Sequence, residues 1–204
     1  MYWSRMNAPE KTAAQTRRRI LAAAKACFAQ HGFLGASTRQ IAGGAGVAQG
    51  LLRYHFETKE ALWKAVMDDI FAAMAAKYPA DTDTSTLSSH QKVENFISGF
   101  IDFFELEPML YALMTNESRS PSPRQQWLLD THVRSYFEAV QDAFQAGQRE
   151  GVVRATDPVM LYYAIIGIVG AAYSYAPEID TLRPGHSIQD REKLQSLIAD
   201  LVFI

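Results

Sequence analysis

Apolar residues recur along almost the whole chain at the three- and four-residue spacing of amphipathic helices, and no segment stands out with the two-residue period of a strand. An early example is the series Ile20, Ala24, Cys27 and Phe28, which is followed by Gly32, a residue suited to a helix end. The pattern predicts an all-α protein.

Capping and breaking residues divide this pattern into separate helices. We expect the first helix to begin with a capping box at Thr12–Gln15 and the second with another at Ser37–Gln40. Segments rich in turn residues are expected to be loops or irregular at 81–89 and 177–185. The remaining helices are predicted near 48–56, 58–78, 93–104, 108–114, 122–150, 158–176 and 194–201.

Charge is distributed unevenly between the two parts of the chain. Residues 1–66 contain ten Lys/Arg and three acidic residues, a net charge of +7, whereas the remaining 138 residues contain ten and nineteen, a net charge of −9. A basic segment joined to an acidic body indicates that only the N-terminal part meets a polyanion. We predict an N-terminal domain at 1–60, with a basic arm at 1–12, and a C-terminal helical domain at 61–204.

Residues 37–56 have the composition of two short helices joined by a tight turn. Ala42 and Ala45 are small enough for a close helix crossing, and Val47 supplies an apolar turn residue. The second helix keeps a polar, basic and aromatic face, which suits the major groove of DNA and its flanking phosphates.

Six groups of residues between positions 16 and 66 resemble the DNA-binding domain of the tetracycline-repressor (TetR) family. They are Arg19-Ile20-Leu21-x-Ala23-Ala24, Phe28-x-x-His31-Gly32-Phe33, Ser37-Thr38-x-x-Ile41-Ala42, Ala45-Gly46-Val47, His55-Phe56 and Lys59-Glu60-x-Leu62. The rest of the chain is similar to the family only in its helical architecture. The resemblance implies a three-helix, homeodomain-like helix-turn-helix followed by a ligand-binding and dimerisation domain.

The resemblance also implies which residues lie at or near operator DNA: Ser37, Thr38, Gln49, Gly50, Tyr54, His55 and Lys59. Arg39, Leu51 and Arg53 complete the predicted DNA-binding set. Three positions depart from the family pattern: Ala48 replaces the usual capping serine, Leu51 a frequent threonine, and Arg53 the usual tyrosine. Ala48 cannot cap, Leu51 offers a contact for a thymine methyl, and Arg53 adds a charge for phosphate.

Aromatic residues are dense in the C-terminal part, where the resemblance places an effector pocket. Its predicted lining is Phe100, Phe103, Phe104, Tyr111, Met114, Trp127, Tyr136 and Tyr163, with Asn116, His132 and tyrosine hydroxyls as polar anchors. Such a lining indicates an apolar or aromatic effector. The expected function is a repressor that an effector releases from DNA; the alternative is a DNA-binding protein of the same fold without an effector.

The run Val159–Ala176 is eighteen residues long and uncharged, which reaches the lower limit for a membrane span. Its glycines and the lack of a basic flank favour instead a buried or oligomer-forming helix. The predicted homodimer interface is Ala164, Gly167, Ala171, Leu194, Leu197, Ile198 and Leu201.

Other chemistries find little support in the sequence. Cys27 and His31 are four residues apart, but Cys27 continues an apolar stripe and His31 stands at a predicted helix end. No nucleophile motif or metal-ligand spacing is visible, so we expect neither an enzyme nor a metal or cofactor. Residues 1–9 lack the apolar segment of a signal peptide, and a single cysteine fits a reducing compartment; both favour the cytoplasm.

Overall fold

The computed structural model describes residues 8–77 and 85–204, and the all-α prediction is confirmed for them. These residues form eleven α-helices and one π-helical turn. The helices are α1 (Ala8–Gly35), α2 (Thr38–Ala45), α3 (Gln49–His55), α4 (Lys59–Lys77), α5 (Ser89–Leu106), α6 (Leu110–Ser118), α7 (Pro123–Leu128), α8 (Arg134–Arg149), α9 (Pro158–Ser174), α10 (Ala176–Leu182) and α11 (Arg191–Val202), with the π turn at Leu129–Val133.

The chain folds into two compact units. The first unit contains Met1–Ala72 and Ala112–Leu128, and the second contains Ala73–Tyr111 and Leu129–Ile204. The first unit therefore extends past the predicted domain boundary after residue 60. It does so because α4 buries Leu62, Trp63 and Val66, and because the Trp63 ring lies 6.1 Å from that of Trp127.

In the first unit, α1 packs on α2, and α2 on α3. The buried side chains Ile20, Phe28 and Ile41 join Leu52 in the core. Helix α1 begins at Ala8 rather than at the predicted Thr12, which falls inside the helix. Pro9 and Glu10 are residue types that suit the first turn of a helix. Residues 1–7 of the predicted basic arm lie outside the described residues.

The predicted end of the first helix is marked by a change of backbone conformation. Gly32 has φ 65° and ψ 176°, a region that is essentially confined to glycine, and the last residues of α1 follow this break. The amide of Ala36 then donates to the carbonyl of Gly32 at 3.2 Å. Glycine is needed here because a side chain would strain this backbone.

In the second unit, α5 packs against α8, α9 and α11. Ser88 and Gln91 form a capping box for α5, and Asp157 and Asp190 cap α9 and α11. The predicted irregular segment at 177–185 is wrong in part, because α10 forms there. Pro177 in its first turn and Glu178 near its positive end both favour a helix start.

Two further sequence expectations can be compared with the structure. The single helix expected at 122–150 is divided by the π turn, where Arg134 donates to Asp130 Oδ1 at 2.6 Å. Residues 78–84, which include the first four residues of the loop predicted at 81–89, lie outside the described residues. No single helix of the described ranges is long and apolar enough to cross a membrane; α9 and α10 pass that test only as a pair bent by 61°.

Candidate nucleic-acid interface

The geometry of α2 and of the turn after it is fixed by three local interactions. The Ser37 hydroxyl accepts from the Gln40 amide (3.2 Å), and Gln40 Oε1 accepts from the Ser37 amide (3.0 Å), so the predicted capping box is confirmed. Arg19 Nη2 donates to the carbonyls of Ala45 (2.6 Å) and Gly46 (3.1 Å) at the end of α2. Gly46 takes the left-handed conformation, φ 61°, which turns the chain into α3.

Helix α3 has one buried side and one exposed side. Leu52 and, just after the helix, Phe56 are buried against the rest of the unit, as expected from the pattern. The exposed side carries residues from the predicted DNA-binding set, namely Gln49, Gly50, Leu51, Arg53 and Tyr54. Tyr54 is 82% exposed, an unusual position for a large aromatic ring that has no partner outside the chain.

Two predicted DNA contacts on neighbouring helices are joined to each other. Gln49 Nε2, at the start of α3, donates to Thr38 Oγ1 on α2 at 3.2 Å. Ala48 precedes α3 without a side-chain cap, as its residue type requires. The Gln49–Thr38 hydrogen bond therefore ties the start of α3, which lacks a side-chain cap, to α2.

The Lys59 side chain has hydrogen-bond partners within the first unit. Its amine donates to the carbonyls of Phe33 (2.8 Å) and Ala36 (2.9 Å) and lies 4.5 Å from the centroid of the Phe33 ring. These contacts tie the start of α4 to the segment that joins α1 and α2. The sequence pattern did not reveal this role, and a contact of Lys59 with phosphate stays a prediction.

The other members of the predicted DNA-binding set differ in exposure. Arg39 and Ser37 are exposed on α2, and Thr38 is half-buried. His55 is half-buried, and its ring centroid lies 5.5 Å from that of Tyr54 and 6.5 Å from that of Phe56. The outer side of α2 and α3 thus presents cations, amides and an aromatic ring together, which is the donor set that phosphates and base edges require.

The predicted effector residues fall into both units. Phe100, Phe103 and Phe104 are buried in the second unit, where Phe104 lies 5.0 Å from Phe100 and 6.3 Å from Tyr111, measured between ring centroids. Tyr136 is half-buried, with its ring 5.7 Å from that of Phe96, whereas Tyr163 is 61% exposed.

Met114 and Trp127 belong to the first unit. Trp127 packs edge-on against Trp63 there. The predicted polar anchor Asn116 also belongs to that unit, where its amide donates to the carbonyl of Ala29 at 3.0 Å. Trp127 and Asn116 therefore have structural contacts within the unit that contains the helix-turn-helix.

Sequence reasoning missed Phe96 and Tyr162, which lie among the aromatic rings of the second unit. Phe96 precedes Phe100 by one helical turn, so its position in the α5 stripe was a usable signal. Tyr162 gave no such signal, because α9 is apolar on all sides and its periodicity does not distinguish a buried tyrosine from an exposed one.

The predicted dimer residues are divided between the interior and the surface of the second unit. Leu194 and Ile198 are buried within the unit, since α11 packs on α5 and α9. Leu197 and Leu201 are exposed, at 56% and 39%. Of the α9 residues, Ala164 is exposed, and Gly167 and Ala171 are half-buried. No group of three potential metal ligands occurs among the described residues.

The N-terminal part of the chain matches a family model, "Bacterial regulatory proteins, tetR family", over residues 20–66. The resemblance to the TetR family is therefore confirmed for this segment of the chain. The match covers the last part of α1, all of α2 and α3, and the first turns of α4. The TetR family helix-turn-helix is thus the segment whose outer side carries the exposed residues described above.

Known proteins resemble the chain over most of its length. The HTH-type transcriptional repressor AcnR of Corynebacterium diphtheriae is 24% identical over 91% of this chain and 90% of its own. HlyIIR, a hemolysin II transcriptional regulator, has a TM-score of 0.73 at 22% identity, covering 94% of this chain and 99% of its own. AibR, solved with isovaleryl coenzyme A and operator DNA, has a TM-score of 0.73 at 16% identity, covering 92% and 98%. At these identities the two structures show the shared fold alone.

Proposed function

We propose that this TetR family protein is a homodimeric transcriptional repressor that binds a palindromic operator and is released by a small, mostly apolar effector. DNA binding is assigned to the first unit, and effector binding and dimerisation are assigned to the second. The observation that carries the proposal is the exposed outer side of α3, where Gln49, Arg53 and Tyr54 stand together at the end of a helix-turn-helix.

The chemistry of this side supports a role in DNA binding. A short helix fits the major groove, where an amide such as that of Gln49 reads base edges and a guanidinium such as that of Arg53 pairs with phosphate. The net charge of +7 over residues 1–66 favours binding to a polyanion. Two relatives that cover most of the chain, AcnR and KstR2, are transcriptional repressors, which agrees with a DNA-binding regulator rather than an enzyme.

Exposed apolar side chains on α9 and α11 support the homodimer. Met160 and Tyr163 on α9 and Leu197 and Leu201 on α11 are all exposed. Exposed apolar patches of this kind mark interaction surfaces, and a two-fold interface between identical chains is the commonest way to cover them. A dimer would also carry two copies of α3, which a palindromic operator requires.

The aromatic cluster of the second unit supports an apolar effector. Rings on α5, α8 and α9 contact one another, so a ligand among them would meet a mostly apolar wall. The structure of AibR was solved with an acyl-coenzyme A and operator DNA. An effector releases DNA only if it binds the DNA-free conformation more tightly than the DNA-bound one.

Selection of bound fragments from a genomic library tests the proposal. We expect the purified protein to enrich a small set of sites with two-fold symmetry, and the genes beside them to indicate candidate effectors. Enrichment of duplex DNA without any shared sequence would contradict a specific repressor. If specific binding is found but none of the candidate effectors weakens it, the release step fails while the DNA-binding role stands.

A further inference from the structure

The aromatic cluster of the second unit contains a largely buried tyrosine whose hydroxyl forms no hydrogen bond with the described residues. Tyr162 on α9 is 5% exposed. Its ring stacks on Phe96 at 6.0 Å and meets Phe137 edge-on at 5.0 Å and Tyr163 edge-on at 5.3 Å, measured between centroids. No group within residues 8–77 and 85–204 forms a hydrogen bond with its hydroxyl.

This hydroxyl is an uncharged donor that remains within reach of another molecule. Burial, with a smaller contribution from Tyr163, raises the pKa of Tyr162 to about 12, so the phenol keeps its proton at physiological pH. Arg124 Nε is the one fully enclosed side-chain nitrogen or oxygen without a partner in the described ranges. The Tyr162 oxygen is not fully enclosed, so some space adjoins it.

A phenylalanine at position 162 would fill the same place in the cluster without removing a hydroxyl group from water. The Tyr162 side chain has lost most of its contact with water, and no described residue accepts a hydrogen bond from its hydroxyl in return. Most buried polar groups in native proteins are paired with protein or water, so the open side of this oxygen is the place where a partner would bind. The tyrosine is therefore best explained by a partner from outside the chain. The rings around it exclude a charged partner, because an ion would need a counter-charge that phenylalanine and tyrosine do not supply.

A second polar group lies close to this part of α9. Gln141 on α8 is buried, and its amide donates to the carbonyl of Pro158, one helical turn before Tyr162, at 3.1 Å. Gln141 also follows Phe137 by one turn on α8, so it shares the side of that helix that meets Tyr162. Mostly apolar walls with a few polar groups are typical of small-molecule sites.

We propose that the Tyr162 hydroxyl donates the hydrogen bond that anchors the effector, which is therefore an uncharged aromatic or apolar molecule carrying a carbonyl or similar acceptor. This inference rests on the proposed function, since it names the ligand class of the second unit. Tyr162 is a specificity-determining residue in this account, and Phe96 and Phe137 supply the apolar contacts.

Three naphthalenes of similar size test the proposal on the full-length protein by calorimetry. They are 1-acetylnaphthalene, which has a carbonyl acceptor, 1-ethylnaphthalene, which has none, and 1-naphthoate, which is anionic. We expect the wild type to bind the ketone about three to ten times more tightly than the hydrocarbon, the contribution of one neutral hydrogen bond. The naphthoate should bind more weakly than the ketone.

Two matched variants assign the preference to one hydroxyl. Tyr162→Phe should bind ketone and hydrocarbon equally and should unfold at the same temperature as the wild type or higher. Tyr175→Phe removes the hydroxyl of an exposed tyrosine beyond the end of α9 and should keep the preference. The proposal is overturned if Tyr162→Phe still prefers the ketone, or if the wild type prefers no ketone or binds none of the three.

The same proteins separate this inference from the proposed function when they are mixed with a duplex from the selection experiment. Specific DNA binding together with an unchanged preference in Tyr162→Phe overturns the anchor but leaves the repressor in place. If the preference for the ketone depends on Tyr162, the anchor is supported. If the ketone nevertheless releases no DNA, ligand-controlled release by this probe is contradicted.

Discussion

Glycines in and after α2 and in α3 differ in what the fold requires of them. A Cβ on Gly46 would lie 2.7 Å from Arg19 Nη2, and the residue has a positive φ. Gly43 and Gly50 have neither constraint, since no neighbouring atom lies within 4 Å of a Cβ built on them. Glycine weakens a helix, so its presence at an exposed helical position calls for an external reason. For Gly50 we assign that reason to the close approach of DNA.

Alanine substitutions at Gly50 and Gly43 test whether the approach of DNA requires glycine at position 50 but not at position 43. Both variants should be more stable than the wild type by up to about 0.5–1 kcal/mol, because alanine loses less backbone entropy in a helix. Only Gly50→Ala should weaken DNA binding, since its methyl group would meet the duplex. Urea unfolding and fluorescence anisotropy with a selected duplex measure the two effects. Equal DNA affinity for Gly50→Ala and wild type would remove Gly50 from the interface.

Lys59 and Arg53 were expected to have the same role but have different surroundings. The Lys59 amine has two carbonyl partners, whereas Arg53 is exposed on α3. Lys59→Ala should therefore lower the free energy of unfolding by about 1.5–3 kcal/mol, the range for hydrogen bonds that involve a charged group. Arg53→Ala should unfold like the wild type and lower the salt slope of DNA binding by about one. Wild-type stability of Lys59→Ala would contradict this division of roles.

At the scale of helices, α9 has one side that the chain covers and one that it leaves open. A Cβ on Gly170 would collide with the Tyr111 ring, so glycine there permits α9 and the start of α6 to approach closely. A Cβ on Gly167 would have no neighbouring atom of the described residues within 4 Å. The small residue at 167 is thus not needed inside the chain, which fits a contact with a second copy.

Gly167→Leu is consequently a clean test of the dimer. The larger side chain has room in the single chain, so secondary structure should be retained, but it should block the close approach of a second α9. We expect sedimentation to shift from dimer towards monomer. Gly170→Leu provides the contrast, because it should destabilise the chain itself by displacing Tyr111. A Gly167→Leu protein that remains fully dimeric would place the interface elsewhere.

At the scale of the whole molecule, a basic N-terminal part and an acidic remainder favour one mode of DNA binding. In the proposed complex, the net positive charge of residues 1–66 would attract DNA to the helix-turn-helix, while the net negative charge of the remainder would disfavour contact with the duplex. One α3 helix covers only a half-site, so the proposed homodimer would supply the second recognition helix that a palindromic operator needs.

The operator should therefore consist of two inverted half-sites. Their centres should be about 34–36 Å apart, one helical turn of DNA, or a multiple of that distance. Footprinting of a selected duplex measures this spacing, and the Gly167→Leu variant should protect the same sequence only at higher protein concentration. Protection of a single asymmetric half-site by the wild type would contradict binding as a dimer.

Local sequence signals predicted much of the fold and the exposed polar side of α3. The capping box at Ser37–Gln40, the buried Leu52 and the break at Gly32 each depend on residues a few positions apart, so the chain itself reveals them. Where the sequence contains two signals for the start of one helix, the local pattern indicated the wrong one. Thr12–Gln15 has the pattern of a capping box, but the helix start at Ala8–Glu10 lies upstream of it.

What the sequence by itself determined is the helical class, the position of the helix-turn-helix and its positive charge, because periodicity, capping and charge are written along the chain. Tertiary structure alone decided which member of an apolar segment faces inward. It buried Tyr162 and left Tyr163 exposed, it covered Gly170 and left Gly167 open, and it directed the Lys59 amine to two carbonyls. These outcomes depend on groups that are distant in sequence and meet only when helices pack, so no local pattern contains them.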